Sequence, residues 1–183
     1  NNLSGTYVFG HVYFNRAGTT VHSRNSSTHN IQHVRQTIRS GTTVDASSST
    51  NGCQMTSVAS ATATIHNALT IDGTLDMGDK ILAARQQANY YSRLTVSSGG
   101  RYRTSHTGGL YSGSDVIASS INGYMLTLNR VGYYLHSNST VEYYGTTTSA
   151  VTGVPNGIAT TTDHQYGNLE INFTATAGST WVY

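Results

Sequence analysis

Apolar residues two apart recur in short runs along the chain: Leu69-Thr70-Ile71, Leu94-Thr95-Val96, Leu126-Thr127-Leu128 and Leu169-Glu170-Ile171. A period of two is that of a strand with one face buried. Each run leads towards a small-residue corner, and a second short run follows. The corner reads Gly or Asn, one or two Ser or Thr, then an apolar residue. It occurs as Gly18-Thr19-Thr20-Val21, Gly41-Thr42-Thr43-Val44, Gly73-Thr74-Leu75, Asn138-Ser139-Thr140-Val141 and Gly178-Ser179-Thr180-Trp181, with Gly99-Gly100-Arg101-Tyr102 as a degraded copy. Gly and Asn adopt positive φ at little cost, and Ser/Thr hydroxyls bond the local backbone at turns. Corners lie 23 to 40 residues apart, within the range of solenoid repeats. A hairpin protein would place Asn-Gly or Asp-Gly turns between matched strands. Asn51-Gly52, Asp72-Gly73, Asn122-Gly123 and Asn156-Gly157 have no such flanks. The pattern predicts an all-β chain coiled into parallel strands, a β-helix (solenoid), with a β-sandwich as the alternative.

One stretch breaks the strand pattern. Over residues 79–91, Ile81, Ala84, Ala88 and Tyr91 match a helical face and Ala, Gln and Arg favour it. Its place between two repeat cores favours an extended or looped rung instead. Residues 106–120 and 146–164 read as loops by composition. The whole of 1–183 reads as a single unit, least regular over residues 25–65.

Composition narrows the function. With 28 Thr, 22 Ser and 19 Gly the chain is polar, yet only 10% of residues are charged, against about 25% in an ordinary soluble protein. Disordered chains combine high charge with few aromatics; 13 Tyr and 37% hydrophobic residues argue for a folded chain. The net charge of +2 is too small for a nucleic-acid footprint. No apolar run is long enough for a membrane-spanning helix. No basic and apolar leader opens the sequence, so an export signal would lie outside it. The single cysteine, Cys53, excludes an intrachain disulfide and reads as an inert thiol.

Several segments carry a family resemblance. Leu69-Thr70-Ile71-Asp72-Gly73-Thr74-Leu75-Asp76-Met77-Gly78 resembles the rung "L-T-I-x-G-T-L-x-L-G" of right-handed parallel β-helix domains in large bacterial surface adhesins, including those of gliding bacteria. Ser139-Thr140-Val141-Glu142-Tyr143-Tyr144-Gly145 is similar to their "S-T-V-E-Y-x-G" strand, and Tyr166-Gly167-Asn168-Leu169-Glu170-Ile171-Asn172 to their "Y-x-N-L-x-I-N" strand. Residues 99–110 resemble the link between them; residues 25–65 depart from the pattern. The resemblance implies a surface-exposed right-handed β-helix serving adhesion, filament building or gliding motility, extracellular and with no shared active site. Asn1-Asn2-Leu3 opens like Gly167-Asn168-Leu169, and Trp181-Val182-Tyr183 closes in mid-strand. The expectation is therefore a segment of a longer chain, or a unit that associates end to end, whose partners are like segments, carbohydrate or surface proteins.

Candidate chemistry is sparse. Asp72, Asp76 and Asp79 form the densest acidic group; they read as turn carboxylates, and as a cation site they would take calcium, although they match no EF-hand loop. No other cofactor is expected. His29 and His33 lack the Glu of H-E-x-x-H and, on a strand, stand about 13 Å apart; they read as solvated loop residues. No G-x-S-x-G elbow is present. If the chain were a polysaccharide lyase, hydrolase or phage tail-spike, Arg101 and Arg103 with Asp115, or Glu142 with Glu170, would line its groove; the reading preferred is non-catalytic. The pairs Tyr90-Tyr91, Tyr133-Tyr134 and Tyr143-Tyr144 should each send one ring inward and one outward. Tyr91, Tyr134 and Tyr144 are thus the candidate binding residues, unless the rings only stack as ladders. Asn2, Asn25, Asn138 and Asn172 open N-x-S/T sequons, frequent by chance in so Ser/Thr-rich a chain.

Overall fold

The computed structural model describes residues 7–9, 11–21, 31–33, 35–48, 53–55, 67–80, 82–84, 92–106, 121–122, 133–145 and 166–174. Sixteen short strands run through them. The first eight are β1 (Tyr7–Phe9), β2 (Val12–Phe14), β3 (Gly18–Val21), β4 (Ile31–His33), β5 (Arg35–Ile38), β6 (Thr42–Asp45), β7 (Cys53–Met55) and β8 (Asn67–Ile71). Then come β9 (Thr74–Asp76), β10 (Leu82–Ala84), β11 (Ser92–Val96), β12 (Arg101–Thr104), β13 (Ile121–Asn122), β14 (Tyr133–Leu135), β15 (Thr140–Gly145) and β16 (Asn168–Phe173). The described residues contain no helix, and so none long and apolar enough to cross a membrane.

Every described ladder is parallel. A five-stranded sheet has the order β14-β11-β8-β5-β2, and a six-stranded sheet the order β16-β15-β12-β9-β6-β3. Two smaller sheets are β13-β10-β7 and β1-β4. Except at β15-β16, neighbours are three strands apart in the chain, so the backbone visits other sheets before it returns. The antiparallel ladders of a sandwich do not occur among the described residues. At β10, within the stretch that carried the helical pattern, Leu82–Ala84 is extended and pairs with β7 and β13; residues 81 and 85–91 lie outside the described residues.

Strand alternation builds the core. In the five-stranded sheet, Leu69 pairs with Leu94, and Ile38, Ile71, Val96 and Leu135 share one register. In the six-stranded sheet, Val44, Leu75, Tyr102 and Val141 do the same. These side chains are buried in one cluster with Met77, Leu82 and Tyr143. Each fully buried Leu or Ile contributes about 1.5–3 kcal/mol. Both strips belong to this one cluster.

The corners explain why the small residues are there. Backbone bonds between the parallel neighbours continue around them: Arg39 N–H to Phe14 C=O (2.9 Å), Asp72 N–H to Ile38 C=O (2.8 Å), Ser97 N–H to Ile71 C=O (3.0 Å) and His136 N–H to Val96 C=O (3.0 Å). On the far side Arg101 N–H reaches Gly73 C=O (2.8 Å) and Thr140 N–H reaches Gly100 C=O (2.9 Å). Neighbouring corners therefore approach closely here. A Cβ on Gly73 would stand 2.3 Å from the Arg39 and Thr42 carbonyl oxygens, and one on Gly100 would stand 2.0 Å from that of Ile71. The glycines of the motif thus have two distinct roles. Gly41 and Gly99 supply positive φ (79° and 77°), whereas Gly73 and Gly100, one register position on, have no positive φ and provide clearance.

A charged ladder as the candidate functional site

Outward positions of the six-stranded sheet line up Asp45, Asp76, Arg103, Glu142 and Glu170 across five strands. Arg101 lies two residues before Arg103 and on the same face, because successive strand side chains alternate. Arg103 donates from Nη1 to Asp76 Oδ2 (2.6 Å) and from Nε to Glu142 Oε2 (2.6 Å). Arg101 donates from Nη1 to Glu142 Oε2 (3.0 Å) and holds Glu170 with both terminal nitrogens, at 2.5 and 2.9 Å. Asn172 Nδ2 adds a bond to Glu142 Oε1 (3.1 Å). The Tyr144 hydroxyl donates to Asp76 Oδ1 (2.5 Å), and the Arg103 guanidinium lies over the Tyr144 ring, 4.6 Å from its centroid.

The charge states follow from these contacts. Burial by itself would raise the Glu142 carboxyl, but hydrogen bonds from Arg103, Asn172 and Arg101 outweigh it and hold the group down at about 2. Arg101 is raised, chiefly by its hydrogen bonding to Glu170, and Arg103 chiefly by its bonding to Glu142; burial opposes both shifts. The Tyr144 phenol is raised by burial and by its bond to Asp76. A general acid or base works best near the operating pH, and an arginine base must give up its proton readily. Here the Glu142, Arg101 and Arg103 shifts fix the charged forms of the ion pairs more firmly, and the Tyr144 shift keeps the phenol neutral. The arrangement is well suited to clamping strands and poorly suited to transferring protons.

The structure brings together Arg101, Arg103, Glu142 and Glu170 from the sequence expectations. Asp115, their proposed companion, lies outside the described residues. The acidic trio is split: Asp76 belongs to the ladder, Asp79 pairs with Lys80 (2.7 Å), and Asp72 sits in the corner before β9. Among the described residues, no three His, Cys, Asp or Glu side chains converge as a metal site. The Tyr143-Tyr144 pair divides as alternation requires, with Tyr143 buried and bonded to the Tyr166 hydroxyl (2.7 Å) and Tyr144 on the ladder. Tyr134 is exposed; Tyr91 lies outside the described residues. So does His29, and only the backbone of His33 and Cys53, in β4 and β7, is described. The placement of Asp45 and the bonds Asn172–Glu142 and Asp76–Tyr144 had no sequence signal, because each depends on which strand lies next to which. Searches found no matching family model, no matching curated protein and no matching solved structure.

Proposed function

We propose that this chain is a segment of a right-handed parallel β-helix that acts as a non-catalytic adhesive scaffold on the outside of a bacterial cell, binding through the surface of its stacked rungs and joining like segments. The observation that supports this reading most is the continuity of backbone pairing through six parallel strands and around the corners. Such a stack can lengthen by about 4.8 Å per rung without a new kind of contact. The outer face of the six-stranded sheet adds a second layer of cohesion, since its carboxylates and guanidinium groups bind one another across strands. The reading draws on the resemblance of residues 69–78, 139–145 and 166–172 to adhesin rungs for its cellular setting.

Beads coated with the purified chain should be retained on bacterial or host-cell monolayers, and soluble chain should compete them off. The same protein should leave a panel of polysaccharides uncut. Beads not retained beyond an albumin control would contradict the adhesive reading. Reproducible cleavage abolished by Glu142→Ala or Arg101→Ala would replace it with a carbohydrate-active enzyme.

A further inference from the structure

The described cations fall into two groups. Arg101, Arg103 and Lys80 account for every ion pair among the described residues. Arg16, Arg35 and Arg39 are exposed and form no ion pair with a described residue. All three sit at one end of the five-stranded sheet, on β5 and the corners beside it. Arg35 shares a face with Thr37 by strand alternation. Thr37 pairs in register with Tyr13, and the Arg39 guanidinium lies over the Tyr13 ring, 4.6 Å from its centroid. His11 stacks on the same ring with centroids 4.0 Å apart, and its Nε2 is 3.0 Å from Thr37 Oγ1. The nearest carboxylate in register is Asp72, which follows Ile71 as Arg39 follows Ile38; it makes no ion pair with Arg39.

We propose that this end of the sheet binds an anionic polysaccharide, with Arg35 and Arg39 contacting its carboxylate or sulfate groups. The proposal rests on the adhesive reading and names the ligand class. A guanidinium presents a planar fork that matches carboxylate and sulfate oxygens. The Tyr13 ring holds one of these forks in place before a ligand arrives, which lowers the ordering cost of binding. Arg35 and Arg39 are four residues apart, Arg35 opening β5 and Arg39 following its last residue. A polymer that lies along the strand engages both groups and gains by multivalency. Threonine hydroxyls at Thr70 and Thr95 continue the Tyr13–Thr37 row toward Tyr134 and offer hydrogen bonds to sugar hydroxyls. The net charge of only +2 gives no extended phosphate-binding footprint, which favours an acidic polysaccharide over a nucleic acid.

The test is binding of the full chain to polygalacturonate, dextran sulfate, neutral dextran and an oligothymidylate, followed by biolayer interferometry at low salt. Polygalacturonate, dextran sulfate or both should bind and neutral dextran should not; which of the two binds identifies the acidic group. Arg35→Gln with Arg39→Gln should weaken binding at least 10-fold with an unchanged circular dichroism spectrum. Arg39→Lys, which keeps charge and fold but loses the fork, should weaken it several-fold. Failure of both polyanions to bind, or binding that neither variant weakens, overturns the proposal. Oligothymidylate binding as tight as the polysaccharides, and lost in the same variants, would reassign the patch to phosphate polymers. None of these failures touches the whole-cell adhesion assay, and loss of adhesion with polyanion binding intact would sink the scaffold reading alone.

Discussion

Arg101 on β12 holds the carboxylate of Glu170 on β16 across the intervening strand β15, at 2.5 and 2.9 Å. One side chain thereby fastens a strand two rungs away and, through Glu142, the strand between. An isolated surface ion pair contributes at most about 1 kcal/mol. This one belongs to a network in which the Glu142 side chain is only 7% exposed, so removing a partner leaves a desolvated carboxylate behind.

Replacing Arg103 by Met should therefore destabilise the chain by about 2–3 kcal/mol, more than replacing Arg101, because Arg103 holds two largely buried carboxylates. A double-mutant cycle on Arg103 and Glu142, read from urea midpoints, should give a coupling of at least about 1 kcal/mol. Additive effects would mean that the ladder does not join the strands.

Acid should reveal the same network. The Glu142 carboxyl stands at 4.5 when unperturbed and at about 2 in the folded chain. A lowered carboxyl contributes stability that is complete above the unfolded value and disappears as pH falls through the folded one. Stability should thus decline between pH 4.5 and 2, with a contribution from this group on the order of 3 kcal/mol. In Glu142→Gln the decline over that window should be smaller by this amount, as measured by urea unfolding at successive pH values.

The corner glycines make opposite predictions within two positions. Gly100→Ala places a methyl group 2.0 Å from the Ile71 carbonyl oxygen and should cost more than about 3 kcal/mol, since backbone must move. Gly99 has φ of 77° and nothing within 4 Å of a Cβ. Gly99→Asn should cost less than about 1 kcal/mol, because Asn tolerates that region and Asn138 already fills the matching position on the next rung. Thermal midpoints of the two variants should separate clearly.

At that corner Ser139 fills the register position that Gly100 and Gly167 fill on the adjoining rungs. Its hydroxyl is buried and has no hydrogen-bond partner. Leaving such a group unsatisfied costs about 1–3 kcal/mol. Ser139→Ala should raise the thermal midpoint, and a lowered midpoint would show that the hydroxyl has a role in the corner.

Much of the backbone architecture could be read from local pattern. The spacing of Leu69 with Ile71 and of Leu94 with Val96 marks the buried face of two strands, and those residues do pair rung on rung. The corners were visible as Gly-Thr and Asn-Ser-Thr. What the corners do was only half legible: Gly41 takes positive φ as composition suggests, but Gly73 is small because a carbonyl lies against it. The site was less legible still. Arg103 meets Glu142 across 39 residues and Tyr144 meets Asp76 across 68. Such meetings depend on register, which intervening loops of unequal length conceal. Glu142 and Glu170 could be suspected of facing the same way, yet that Arg101 binds both follows only from the pairing.

Cross-linking tests the stacking of rungs most directly. Thr70 and Thr95 pair in register on adjacent strands, as do Thr95 and Tyr134, and neighbouring parallel strands are about 4.8 Å apart, within disulfide range. In a Cys53→Ser background, the pairs Thr70→Cys/Thr95→Cys and Thr95→Cys/Tyr134→Cys should oxidise readily under native conditions. Thr70→Cys/Tyr134→Cys, two strands apart, should not. Cross-linking of that distant pair as fast as the adjacent ones, or none in the adjacent pairs, would contradict parallel stacking and every inference drawn from it.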